Sequence, residues 1–139
     1  MLKTRLLHPE ILSALGGAGH GAKVLIADCN YPFGTRGNPN ATHVYLNLAP
    51  GLVTVTDVLR VLVDAIPIEA AEVMQPASGA EPSIFGEFRS ILPAELTLKP
   101  LGRYEFYDAA SDRDTTLVIA TGEQRIYANL LLTIGVVMP

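Results

Sequence analysis

Val24-Leu25-Ile26-Ala27 is an uninterrupted apolar run of strand length that stops at Asp28. A strand exposed on one face alternates apolar and polar residues, so a run without alternation needs cover on both faces. Hydrophobic residues make up 49% of the 139-residue chain and charged residues 17%, which leaves an apolar excess that has to be buried. Two devices can bury it: helices on both faces of a sheet, and subunits covering one another. Both are expected here.

The rest of the chain supplies such helices. Pro9 to Leu15 reads as a short helix, with Pro9 at a first helical position and Ile11, Leu12 and Leu15 on one face. Gly16-Gly17-Ala18-Gly19 ends it. Thr54 to Ile66 carries the strongest helical spacing, in Val58, Leu59, Leu62 and Ile66, with Thr54 or Thr56 to cap it and Pro67 to stop it. Pro82 to Leu92, with Ile84, Phe85, Phe88 and Leu92 as its stripe, and Arg103 to Ala110 complete the helices. Further strands are expected at His43 to Leu48, Ala71 to Met74, Leu96 to Leu101, Leu117 to Ala120 and Leu130 to Val137. Residues 30–40 hold three Asn, two Pro and two Gly, and read as a loop. Strands and helices alternate throughout without repeat or linker, which predicts one α/β/α layered domain with a mixed sheet over residues 1–139.

Charge and composition exclude several functions. The net charge is -4 and no cluster of Lys and Arg is present, so nucleic acid is not an expected partner. No apolar run approaches the roughly 20 residues of a membrane span. The N-terminus carries Lys3 and Arg5, but Pro9, Glu10 and the glycines interrupt its apolar stretch, which argues against a signal peptide. Cys29 is alone and can form no internal disulfide, in keeping with a reducing cytoplasm. His8, His20 and His43 lack the spacing of a metal cluster, and no G-x-S-x-G nucleophile motif occurs.

Four places could carry chemistry. Gly17-Ala18-Gly19-His20-Gly21 looks like part of a phosphate loop, but its glycines leave a helix and enter a strand, the reverse of the dinucleotide-binding order. What remains is His20 between two glycines, either a surface turn residue or a proton carrier that a ligand can approach closely. Asp28 ends the apolar run, where open α/β sheets gather ligands, and is equally suited to forming a turn. Tyr127 and Asn129 stand two apart before a strand, so extended chain would turn them the same way, as a hydroxyl-reading surface or as ordinary strand-start polarity. Arg103, Tyr104 and Tyr107 share one short helix, where Tyr107 could pack on the core and Arg103 could be merely solvated.

Taken in order, these segments resemble the RbsD/FucU family of fucose mutarotases and ribose pyranases. The resemblance runs through Met1-Leu2-Lys3-Thr4, Pro9-Glu10, Gly19-His20-Gly21, Ala27-Asp28 with Pro32, Phe106-Tyr107-Asp108, Thr121-Gly122-Glu123, Tyr127-Ala128-Asn129-Leu130-Leu131-Leu132 and Gly135-Val136. It implies a compact α/β domain assembled into rings, often decamers, and interconversion of the ring forms of a free monosaccharide without cofactor. It implies His20 as proton donor, and Asp28 with Tyr127, Ala128 and Asn129 as sugar contacts. Arg103-Tyr104-Glu105-Phe106-Tyr107 resembles the fucose branch, which adds Arg103 and Tyr107 to the substrate contacts. Ala128 resembles the ribose branch, and Cys29-Asn30-Tyr31-Pro32-Phe33 departs from both.

The residues suit that chemistry. Opening a cyclic hemiacetal requires a proton delivered to the ring oxygen and one removed from the anomeric hydroxyl, and positioned acid–base groups supply about 10²–10⁴-fold. Eight residues of extended chain from His20 to Asp28 reach roughly 26 Å at about 3.3 Å per residue. Both cannot then touch one small sugar from a single chain, and a neighbouring subunit is expected to supply one of them. L-fucose mutarotase is the leading reading and D-ribose pyranase the second, separable by the sugar whose exchange is accelerated. A non-catalytic sugar-binding or transport-accessory protein would share the pocket and show no exchange; a structural ring with a vestigial site is a third reading, against which the joint presence of His20, Asp28, Arg103, Tyr127 and Asn129 argues.

Overall fold

The computed structural model describes residues 1–139. In chain order its elements are α1 (Pro9–Gly17), β1 (Lys23–Ala27), β2 (Thr42–Tyr45), α2 (Val55–Leu62), β3 (Ile68–Met74), α3 (Ile84–Ile91), β4 (Leu98–Leu101), α4 (Arg103–Ser111), β5 (Thr115–Ala120) and β6 (Leu130–Ile134). The strands form one six-stranded sheet in the order β2-β5-β1-β6-β3-β4. β6 alone runs antiparallel, between β1 and β3; all other neighbouring pairs are parallel. The edge strands β2 and β4 are four residues each, and Pro100 sits in β4 at the edge, where its missing N–H costs least.

The unalternating β1 run is buried from both sides, as its sequence demands. Val24 and Ile26 enter a core with Ile11 of α1, Val58, Leu59 and Leu62 of α2, and Ile84, Phe85 and Phe88 of α3. Leu25 and Ala27 face the other way, onto Phe106 and Ala110 of α4. One helix covers this second face, and beyond it the sheet turns polar. There Lys23 and Lys99 hold the buried carboxylate of Glu72 at 3.0 and 3.3 Å.

Local chemistry sets the element ends. His8 caps α1, its ring accepting from the Ile11 N–H. Thr54 caps α2 in a full capping box with Asp57, whose carboxyl the Thr54 bonds hold below its ordinary value. The ends of β2, α2 and β6 fall short of expectation. β2 stops at Tyr45, because residues 46–53 fold back and Leu48 and Leu52 pair across a turn. α2 ends at Leu62, where Ala65 and Ile66 donate tight turn bonds to Leu62 before Pro67. β6 ends at Ile134, where Gly135 bonds Pro67, leaving Val136 to Met138 exposed.

Candidate functional site

The antiparallel β6 positions the site. The carboxyl ends of the parallel strands share one edge of the sheet, and β6, running the other way, begins there. Asp28 after β1, Met74 at the end of β3, Arg103 after β4 and Asn129 before β6 therefore converge from four separate parts of the chain. Together with Asn30, Tyr31, Tyr107, Ile126 and Tyr127 they line a cleft of about 300 Å³. This is the sheet edge where open α/β folds bind ligands.

Asp28 is the most constrained polar group in the cleft. Asn129 Nδ2 donates to its Oδ2 at 2.9 Å, and the Asp28 backbone N–H donates to Asn129 Oδ1 at 2.9 Å. The Asn30 N–H reaches Oδ1, also at 2.9 Å, so Asp28 forms a turn and faces the cleft at once. Burial pushes its carboxyl above the ordinary 3.8, against the opposing pull of these hydrogen bonds. An acceptor already desolvated and fixed in place is well suited to a sugar hydroxyl.

Across the cleft Arg103 Nη2 donates to the Tyr127 phenol at 3.3 Å. Tyr107 packs edge-on against Tyr31 at 5.6 Å, and the Arg36 guanidinium lies 5.6 Å over the Tyr107 ring. Tyr31 donates to the Arg36 carbonyl at 2.6 Å, and burial pushes its phenol well above the ordinary range, so it stays a neutral donor.

Tyr127 and Asn129 both reach the cleft, but not by strand alternation. Tyr127 has φ 62°, left-handed backbone that costs a residue with a Cβ about 1–2 kcal/mol. Its loop is braced from behind. Arg125 donates through Nε and Nη2 to both oxygens of the buried Glu123 carboxylate at 3.0 and 2.8 Å, and through Nη1 to Glu87 of α3. Ala128 does not line the cleft. Its methyl is fully buried with the larger core, so any contact it makes with ligand is through backbone.

His20 lies at the opposite end of β1, outside this cleft, where its Nε2 sits 2.9 Å from Glu69 Oε2. A single chain thus brings together Asp28, Arg103, Tyr107, Tyr127 and Asn129, and leaves His20 apart. Asn30, Tyr31, Met74 and Ile126 join the lining without having been singled out. Asn30 and Tyr31 could have been found by their adjacency to Asp28; Met74 and Ile126 carry no signal that separates them from core residues. No three His, Cys, Asp or Glu side chains lie together to hold a metal ion. No helix is long and apolar enough to cross a membrane.

Fold and cleft define a class: an open, mostly parallel α/β domain with a small polar site at the carboxyl edge of its sheet. The chain belongs to the RbsD / FucU transport protein family, whose model matches residues 1–137. It is 33% identical to fucose mutarotase of Bos taurus, over 96% of this chain and 92% of the relative. It is 31% identical to D-ribose pyranase of Paracidovorax citrulli, over 98% of both chains. A fucose mutarotase from Streptococcus pneumoniae, solved in complex with L-fucose, superposes with a TM-score of 0.83 at 27% identity, covering 99% of this chain and 100% of that one. Bacillus subtilis RbsD complexed with D-ribose gives 0.85 at 26% identity over the same shares. Relatives of this chain thus include sugar isomerases of two specificities, at nearly equal distance.

Proposed function

We propose that this protein is a monosaccharide mutarotase that opens and recloses the ring of a free sugar, with L-fucose as its substrate. The observation that carries the reading is the Asp28–Asn129 pair, a preset hydroxyl-binding element at 2.9 Å within a cleft that also holds Arg103, Tyr107 and Tyr127. Both named relatives and both superposed structures belong to the sugar chemistry such a cleft serves.

The reaction moves two protons. An acid protonates the ring oxygen as its bond to the anomeric carbon breaks, and a base takes the proton of the anomeric hydroxyl as that carbon becomes a carbonyl. Rotation about the adjacent C–C bond and reclosure on the other face reverse both transfers. His20 is the acid, and it comes from a neighbouring subunit, because within one chain β1 separates it from Asp28. Asp28, Asn129, Tyr127 and Arg103 hold the hydroxyls, with the Ala128 backbone beside them. A ring of subunits, a decamer in its simplest family form, supplies that neighbour. The exposed, unpaired Cys29 suits a cytoplasmic location.

Substrate preference rests on Arg103 and Tyr107, the fucose-like pair, with Met74 and Ile126 as apolar lining for the methyl of a 6-deoxy sugar. Ala128 favours the second reading, D-ribose pyranase. Saturation-transfer NMR across the anomers of fucose, ribose, galactose and rhamnose tests both: the largest gain in exchange is expected with fucose. Mixing His20→Ala and Asp28→Ala subunits, each inactive alone, is expected to restore part of the activity, as a site shared between subunits requires. No recovery after verified subunit exchange would overturn the shared site and, with it, the acid role of His20.

A further inference from the structure

We propose that Glu69 is a positioning residue for His20, holding its imidazole in the tautomer that presents Nδ1 to the sugar. The inference rests on the mutarotase reading above and deepens it. His20 Nε2 lies 2.9 Å from Glu69 Oε2 across a sequence separation of 49 residues, so the contact belongs to the tertiary fold.

Three features of the backbone aim this carboxylate. First, β3 pairs with β6 through Ile68 with Ile134 and then Ala70 with Thr133, two steps on β3 against one on β6. Glu69 is the extra residue of that β-bulge, a device that re-aims a side chain out of the ladder. Second, position 135 is a glycine, and a Cβ there would stand 3.2 Å from Glu69 Cβ and 3.6 Å from Glu69 Oε2. A side chain at 135 would crowd the carboxylate. Third, the end of β6 is bonded to both partners' segments: the Gly21 N–H donates to the Ile134 carbonyl and the Gly135 N–H to the Pro67 carbonyl, each at 2.9 Å. Gly21 takes φ 85°, which lets the chain turn directly after His20. Imidazole and carboxylate are therefore mounted on one rigid frame.

A carboxylate on Nε2 has a defined effect. In the neutral ring it accepts the Nε2 proton and leaves Nδ1 as the lone pair that exchanges protons with the sugar. In the imidazolium it balances the charge while Nδ1–H is delivered to the ring oxygen. The carboxylate keeps its own proton count throughout, as in the orienting role of an aspartate behind a catalytic histidine. Partners that orient a metal-ligating histidine through its other ring nitrogen change affinity or activity about 10–100-fold when removed, and a loss of the same order is expected here.

The test uses the full chain, anomer-exchange NMR, and ¹⁵N shifts of the His20 ring. Glu69→Ala is expected to lower kcat at least tenfold with KM within twofold, since Asp28, Tyr127 and Asn129 still hold the sugar. It is also expected to move the His20 ¹⁵N shifts from the Nε2–H tautomer toward a mixture. Glu69→Gln, which can still accept from Nε2, is expected to keep the tautomer signature and lose part of the rate. If Glu69→Ala changes neither kcat nor the ring shifts while His20→Ala is inactive, the positioning role is overturned and the acid role of His20 stands. If His20→Ala itself exchanges anomers at the wild-type rate, the reading on which the proposal rests falls with it.

Discussion

Asp28 and Asn129, 101 residues apart, exchange two hydrogen bonds of 2.9 Å, backbone to amide oxygen and amide nitrogen to carboxylate. The arrangement uses both ends of the Asn129 amide. It joins the end of β1 to the start of β6 and orients the one carboxylate buried in the cleft. Asn129→Ala removes both bonds and leaves the buried Asp28 N–H unpaired, a loss of about 1–3 kcal/mol. Urea unfolding is expected to show it as a lower midpoint. Asn129→Asp sets a second carboxylate against Asp28 and is expected to raise KM by more than Asn129→Ala does.

Asp28 also sets a pH dependence. Its carboxyl is held above 3.8 by burial, so the folded state binds this proton more readily than the unfolded state does. The sign for stability follows: the contribution of Asp28 favours folding below the ordinary value and is lost as pH rises through the raised one. For function the sense is opposite, because only the carboxylate accepts hydroxyls with both oxygens. KM for the sugar is expected to climb as pH falls through a value above 3.8, and Asp28→Asn is expected to flatten that limb.

Arg125 braces the loop that carries Tyr127, and its removal tests the brace. Burial alone would raise the Glu123 carboxyl, but the Arg125 hydrogen bonds outweigh it and hold it below 4.5. The stability it contributes is present above that value and is lost as pH falls through the lowered one. Arg125 is part-exposed, so a cost of about 2–3 kcal/mol is expected for Arg125→Ala, below the full penalty of a buried pair. In that variant burial acts on Glu123 with no guanidinium against it. Relative to the wild type, the unfolding midpoint of Arg125→Ala should then rise as pH is lowered from 7 toward about 4.

Gly122 lies where β5 leaves the sheet, against the turn formed by residues 46–53. A Cβ there would meet the Ala49 carbonyl oxygen at 2.3 Å and the Leu52 carbonyl oxygen at 2.4 Å, both backbone atoms that cannot swing aside. Gly122→Ala is expected to destabilise by about 3 kcal/mol, the upper end of ordinary overpacking. Gly19→Ala, with open space around it, should cost little; thermal unfolding of the two variants makes the comparison.

Much of this architecture is legible in the sequence where the signal is local. The unbroken β1 run announces burial on both faces, and the threonines at 54 and 56 mark the start of α2, with Thr54 the one that caps it, because capping acts over a few residues. The cleft is less legible. Asp28 and Asn129 are each recognisable as polar residues at strand ends, but their pairing depends on β6 running antiparallel, which no local pattern encodes. Tyr127 looks extended and instead turns left-handed, because the Arg125 brace and the buried Ala128 on either side impose the backbone. Glu69 is silent in sequence, since a bulge is a mismatch between two strands and belongs to neither alone. Ala128 resembles a sugar contact by position, while its side chain is committed to the core.

Saturation-transfer NMR on L-fucose at equilibrium, with and without the protein, separates a mutarotase from a protein that only binds sugar. Faster exchange between the α and β anomers is expected with the wild-type chain, and the uncatalysed rate with a folded His20→Ala variant. An uncatalysed rate with wild-type protein on fucose, ribose, galactose and rhamnose alike would contradict the mutarotase reading, and would leave a protein that binds sugars without converting them.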